Sequence, residues 1–328
     1  FERLVWQRFG GAIRAGEFDI VHRITPLSPT VSSSLAGHCA RAGTLFVLGP
    51  LNGGVPWPEG FDAERRREKE WLSYLRSAYK LMPGREATLR NASAVLTGSR
   101  HTEGEIPARH RHKTIYLPEN AIDPARFNRT AAPGPGPLRA CFVGRLVPYK
   151  GPDMLLQAAA PLLRDGRMTL DMIGDGPMMP DLVGQARQLG AERGLTFHGW
   201  KDHREVQDIM AGCHVLSFPS IREFGGGVVL EAMALGVVPL IVDYAGPGEL
   251  VVSGTGLKVP CGTREQIVAG FADALARLAD DPSGLPGMAH AARDRVQSHF
   301  TWARKARQIA EVYAWLRSGR SDAPPVFF

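Results

Sequence analysis

A chain of 328 residues, 44% hydrophobic and 22% charged, is long enough for two domains that each bury a core, and its composition excludes a disordered or fibrous protein. No apolar run approaches the ~18 residues of a membrane-spanning helix, and Cys39, Cys141, Cys213 and Cys261 lie far apart with no C-x-x-C pair, which argues against a disulfide framework or zinc site and fits a reducing cytosol. The formal charge of +6 sits wholly in residues 1–137, with 19 Lys and Arg against 13 Asp and Glu; residues 138–328 hold 20 of each, so either an anionic partner or a solvated surface of mixed charge belongs to the first half.

In chain order, FERLVWQRFGGAIRAG is helix-like and lacks the apolar core and cleavage site of a signal peptide. DIVHRI (19–24), TLFVLG (44–49), SAVLTG (93–98) and KTIYLP (113–118) read as buried strands, with helical patterns over 28–42 and 63–82 between them. In the second of these helices Arg65, Arg66, Arg67, Lys69, Arg76 and Lys80 stand beside Trp71, Leu72, Tyr74 and Leu75. That pattern fits a face laid on an anionic membrane surface, or an amphipathic helix packed on its own domain. TAAPGPGPL (130–138) has no periodicity and reads as a linker, so a first domain is expected over 1–132 and a second over 138–316, with a tail at 317–328. After the linker RACFVG, TLDMIG, LTFHGW, CHVLSF, VPLIV and GLKVP are strand-like, mostly separated by helical patterns. Such alternation means a parallel sheet covered on both faces; two in succession give a two-domain α/β protein with a cleft.

Candidate chemistry gathers at the strand ends of the second domain, where open α/β sheets bind ligands. In FVGRLVPYKG (142–151), Arg145 and Lys150 flank one strand–helix loop, and a fork-shaped and a point cation together suit a diphosphate. A loop of idle surface cations is the alternative. In HVLSFPSIREFGGGVVLEAMALG (214–236), Gly225, Gly226 and Gly227 allow close backbone approach, and the N–H groups of Gly227 and Val228 open a helix that can receive a phosphate. Glu223 and Glu231 near that phosphate need hydroxyl groups to bind, which makes them sugar and ribose readers. Glu231 lies among apolar neighbours, where a carboxylate without a partner is costly.

Arg145…Lys150, IGDGP (173–177), FHGW (197–200), FPS (218–220) and Glu223-x7-Glu231 together resemble the family-4 retaining glycosyltransferases of GT-B fold, also called group 1 glycosyltransferases, over roughly residues 138–316. DIVHRITPLSP, GPLNGG (49–54) and LPENAIDPARF (117–127) are similar to a bacterial branch acting in surface polysaccharide or glycolipid assembly. The resemblance implies an α/β fold of two Rossmann-like parallel-sheet domains facing a cleft, and transfer of a sugar, with retention, from a nucleoside diphosphate sugar to a saccharide or lipid-linked acceptor. It implies a UDP- or GDP-sugar as donor, with a UDP-sugar favoured, no other cofactor, no nucleic acid partner, and a cytoplasmic location peripheral to the membrane. Arg145 and Lys150 would bind the diphosphate; Glu231 the ribose; Glu223 and the backbone of Phe224 to Gly226 the transferred sugar. Gly144, Gly174 and Asp175 would line the site, and the strand end at His198 would meet the base, largely through backbone. No D-x-D pattern occurs, so the cations would stand in for a divalent metal.

Many relatives carry H-x-H at the first domain's strand end; here the second position is Ile24, leaving His22 for sugar contact or proton transfer, or as a buried strand-end histidine. Two other readings stay open: a glycoside hydrolase using Glu223 and Glu231, which leaves the two cations unexplained, and a non-catalytic binding module. Only one helix-like stretch precedes DIVHRI. The expectation is therefore an N-terminally truncated enzyme whose first sheet is partial and ends at that strand.

Overall fold

The computed structural model describes residues 1–67, 83–320 and 322–328. Four of the apolar runs form a parallel sheet: β1 (Ile20–Arg23), β2 (Leu45–Leu51), β3 (Ala94–Thr97) and β4 (Thr114–Tyr116), in the order β1-β2-β3-β4. Among the described residues β1 is an edge strand, paired only with β2. Successive side chains on a strand point to opposite faces, and both faces of this sheet are buried. Phe46, Leu48 and Val95 face a cluster with Ile13, Leu35 and Cys39; Val47, Ala94 and Leu96 face Val312, Trp315 and Leu316. Continuous apolar runs, rather than alternating ones, are the sequence consequence of that double covering.

The second sheet contains β5 (Leu138–Val143), β6 (Met168–Ile173), β7 (Leu195–Gly199), β8 (Val215–Phe218), β9 (Val238–Asp243) and β10 (Leu257–Pro260). Its order is β10-β9-β8-β5-β6-β7, and every pairing is parallel. The chain winds outward from β5 to β6 and β7, then returns to β8 on the other side. This is the doubly wound arrangement, and its switch point lies between β5 and β8. The two loops singled out in the sequence, 144–151 and 219–226, leave these two neighbouring strands.

The backbone is drawn tight at these ends. Gly174 has φ +134°, and a Cβ there would stand 2.0 Å from the Gly144 carbonyl oxygen. A Cβ on Gly176 would stand 2.4 Å from the carbonyl oxygen of Leu146. The glycines of IGDGP therefore let the β6 loop press on the β5 loop, where the Leu146 N–H donates to Asp175 O at 2.9 Å.

The boundaries differ from the expected ones. One compact unit comprises Phe1–Val55, Leu72–Glu119 and Lys305–Phe328; the other comprises Pro56–Trp71 and Asn120–Arg304. The Pro/Gly stretch expected as the linker is held inside the second unit, with Ala131 and Ala132 N–H donating to Leu235 O and Ala211 O. Ile122 also bridges to Thr301 there. The expected tail at 317–328 is part of the first unit, because Phe327 and Phe328 join the Val312–Trp315–Leu316 cluster. Composition marks where a chain lacks periodic structure; it carries no information on which distant residues that stretch will touch.

Candidate functional site

The β5 loop tightens into a short 3-10 turn, Pro148–Lys150, before the helix Pro152–Arg164. A Cβ on Gly151 (φ +69°) would meet the Pro219 carbonyl oxygen at 2.8 Å, so glycine lets this loop lie against the one after β8. Tyr149 O accepts both the Ile221 N–H at 3.0 Å and the Ser220 hydroxyl at 3.3 Å. The two loops are thus joined, and the join brings the Lys150 ammonium onto the Glu223 carboxylate. Both side chains are mostly buried, at 15% and 19% exposure, so the pair is less screened than a surface one. Lys150 also lies 4.9 Å from the Phe218 ring centre. Arg145, at the start of the same loop, is exposed and has no ion pair among the described residues.

The helix Gly227–Leu235 begins directly after the glycines, with Gly226 as a left-handed N-cap that offers no side-chain acceptor. A Cβ on Gly226 would meet Leu250 at 2.8 Å. A glycine cap leaves the first N–H groups, those of Gly227 and Val228, for a ligand oxygen. The helix buries Val229, Leu230, Ala232, Met233, Ala234 and Leu235, whereas Phe224 before it is 36% exposed.

Glu231 occupies separate surroundings. It lines a pocket of about 230 Å³ together with Asn120, Arg126, His203, Gly227 and Trp302. Burial pushes its carboxyl above the ordinary carboxylate range, against the pull of His203 and Arg126. A carboxyl raised on folding favours the folded state most when protonated, and that advantage is lost as pH rises from about 4.5 through the raised value. Glu231→Gln is therefore expected to raise the unliganded protein's Tm at pH 7 and to leave it unchanged below pH 4.5. Thermal denaturation at the two pH values checks this; an equal shift at both would mean that the charge is not the cost.

Of the other expected residues, Gly174 and Asp175 sit at the β6 end, where the exposed Asp175 carboxylate accepts the Gly176 N–H at 2.7 Å. His198 uses its ring on Asp171, at 2.7 Å, leaving backbone at that strand end. His22 lies in the first unit with both ring nitrogens engaged: Nε2 donates to Gly49 O at 2.7 Å, so Nδ1 accepts from Tyr313 Oη at 2.8 Å. Burial holds its pKa below the ordinary histidine value. Both ring nitrogens are thus occupied within the first unit. Asn120, Arg126, His203 and Trp302 were not singled out by spacing; Asn120 and Arg126 do lie in LPENAIDPARF, the segment whose resemblance carried no residue roles.

Residues 127–283 match the family model described as Glycosyl transferases group 1. The glycogen synthase of Mycobacterium tuberculosis is 36% identical over 215 residues, covering 64% of this chain and 51% of the relative. The D-inositol 3-phosphate glycosyltransferase of Nocardia farcinica is 35% identical over 194 residues, covering 55% and 41%. The chain thus spans about half the length of the curated relatives it matches. Among solved structures, Anabaena HepE in complex with UDP aligns with a TM-score of 0.66 at 20% identity, over 93% of this chain and 81% of that one. Sucrose-phosphate synthase from Thermosynechococcus elongatus aligns at 0.64 and 20%, over 95% and 77%. The fold is that of the GT-B glycosyltransferases, with two Rossmann-like parallel-sheet domains. The sequence matches support a group 1 glycosyltransferase domain within the chain.

Proposed function

We propose that this chain is a group 1 glycosyltransferase that moves a sugar from a nucleoside diphosphate sugar, with a UDP-sugar favoured, to a saccharide or lipid-linked acceptor. The observation that carries this reading is the Lys150–Glu223 pair placed just before a glycine-capped helix N-terminus at the sheet's switch point. In this reading the anomeric C–O bond breaks with its electron pair passing to the β-phosphate, while the sugar becomes cation-like. Arg145, Lys150 and the Gly227 and Val228 N–H groups meet the charge that grows on the phosphate, so they bind the transition state best and need no divalent metal. Glu223 faces the sugar, Glu231 the ribose. Retention of configuration belongs to the same proposal, as do Gly144, Gly174, Asp175 and the His198 backbone as site lining. UDP is the favoured nucleotide because HepE, alike in fold, was solved with it.

The test is release of UDP from a panel of UDP-sugars, with GDP-sugars alongside. Turnover or slow donor hydrolysis supports the reading; a pure binding module would show neither, and a hydrolase would cleave glycosides without any nucleotide affinity.

A lipid-linked acceptor would place the enzyme at the inner face of the cytoplasmic membrane. Arg65, Arg66 and Arg67 belong to the helix Asp62–Arg67, whereas Lys69, Trp71, Leu72, Tyr74, Leu75, Arg76 and Lys80 lie outside the described residues. No helix among the described residues is long and apolar enough to cross a membrane. Co-sedimentation with anionic liposomes is expected at low salt and should fade by 0.5 M NaCl; salt-independent binding, or none, would count against membrane association.

A further inference from the structure

The loop that carries Glu223 is gripped by a segment to which no motif gave a role. Pro56–Trp71 belongs to the second unit, although it stands far from that unit's sheet in sequence. The Arg222 guanidinium, on a residue only 6% exposed, lies 5.2 Å from the Trp57 ring centre and 5.5 Å from that of Phe224. Trp57 also meets Tyr149 edge-on at 6.5 Å. The residue before Lys150 and the residue before Glu223 therefore touch one indole.

Two further contacts fix the segment in place. Tyr244 Oη donates to Pro56 O at 2.8 Å. Arg264 reaches Glu64 at 3.7 Å and Asp153 at 2.7 Å, and Asp153 lies in the first turn of the helix that follows the Lys150 loop. A cation over aromatic faces is held firmly where water is excluded, as it is around Arg222. A guanidinium so held restrains the backbone on which Glu223 and Phe224 follow.

We propose that Trp57 and Arg222 are positioning residues for the donor sugar: the indole clamps Arg222 and Tyr149, and through them sets the Glu223 carboxylate and the Lys150 ammonium at their working separation. The proposal rests on the donor-site reading above. It adds a determinant of sugar placement that lies about 170 residues away in sequence from the glycine-rich loop it controls.

The variants Trp57→Ala, Trp57→Phe and Tyr244→Phe separate positioning from bulk stability. In Trp57→Ala, kcat for donor turnover is expected to fall by about tenfold or more, the scale of a misplaced reacting group. Its Kd for UDP, which meets only the Lys150 side of the clamp and lacks the sugar that Glu223 faces, should weaken by less than kcat falls. Trp57→Phe should restore most of kcat by keeping an aromatic face, and Tyr244→Phe should lower kcat several-fold in the same direction. Without ligand, hydrogen exchange at the amides of residues 221–227 should quicken in Trp57→Ala and Tyr244→Phe. Unchanged kcat, an equal loss of UDP affinity and turnover, or a Phe variant no better than Ala would overturn the proposal. Should Trp57→Ala fail to fold, Trp57→Phe and Tyr244→Phe carry the comparison. Failure of the donor reading itself would show in the wild type as absence of both UDP and GDP binding. In that case the exchange measurement decides alone, and unaltered exchange at 221–227 overturns the clamp.

Discussion

Lys150→Ala is expected to weaken UDP binding by roughly ten- to a hundredfold while leaving uridine affinity almost unchanged. The first number follows from losing one charge-assisted hydrogen bond to a phosphate, about 1.5–3 kcal/mol. The second follows because the nucleoside carries no phosphate for the ammonium to meet. Turnover should fall further than binding, since the negative charge on the departing phosphate is larger in the transition state than in the bound donor. The ion pair with Glu223 adds a consequence that the sequence did not foretell. In the unliganded chain Lys150 neutralises a carboxylate with 19% exposure, so its removal leaves a mostly buried charge alone. Lys150→Ala should therefore lower the unliganded Tm as well, whereas Lys150→Arg should keep both stability and most of the UDP affinity. Equal losses for UDP and uridine by calorimetry would show that Lys150 is not a phosphate residue.

Glu223→Gln is expected to split binding from turnover in the opposite sense. Glu223 holds the ammonium that an incoming diphosphate would use, so the amide releases Lys150 and UDP should bind as well as before or more tightly. Turnover should nevertheless drop by about a hundredfold or more, because the group facing the sugar has lost the charge that opposes the developing cation. Glu231→Gln should do the reverse: UDP and uridine both bind more weakly, since both carry the ribose. Matching phenotypes for the two glutamate variants would sink the division of roles. The structure already separates their surroundings, with Glu223 on Lys150 and Glu231 in the pocket of Asn120, Arg126 and His203.

The strands were legible because each is a short, mostly apolar run, and the inner ones, such as Ala94–Thr97 and Val215–Phe218, are buried on both faces. DIVHRI became Ile20–Arg23 and RACFVG became Leu138–Val143, with only end residues shifted. The glycine-rich turn into the Gly227–Leu235 helix was legible for a similar local reason: glycines followed by VVLEAMAL fix a left-handed cap and a buried helix. Pairings between distant segments were not. Nothing local to Trp57 points to Arg222, and nothing in the last twelve residues tells that Phe327 and Phe328 close the core of the first unit. Likewise His22 was singled out by its place at a strand end, but its bonds to Gly49 and Tyr313 depend on residues up to 291 positions away. Local chemistry determined the loops; long-range contacts determined which side chains are already occupied.

The most direct test of a nucleoside diphosphate site at the switch point of the second sheet is a calorimetric titration of the wild-type chain with UDP, with GDP and, separately, with uridine. The expected result is one UDP site per chain that binds at least about tenfold more tightly than uridine, a margin of about 1.4 kcal/mol or more, and that shrinks in Arg145→Ala. Equal affinities for UDP and uridine, or no binding of either UDP or GDP, would contradict it.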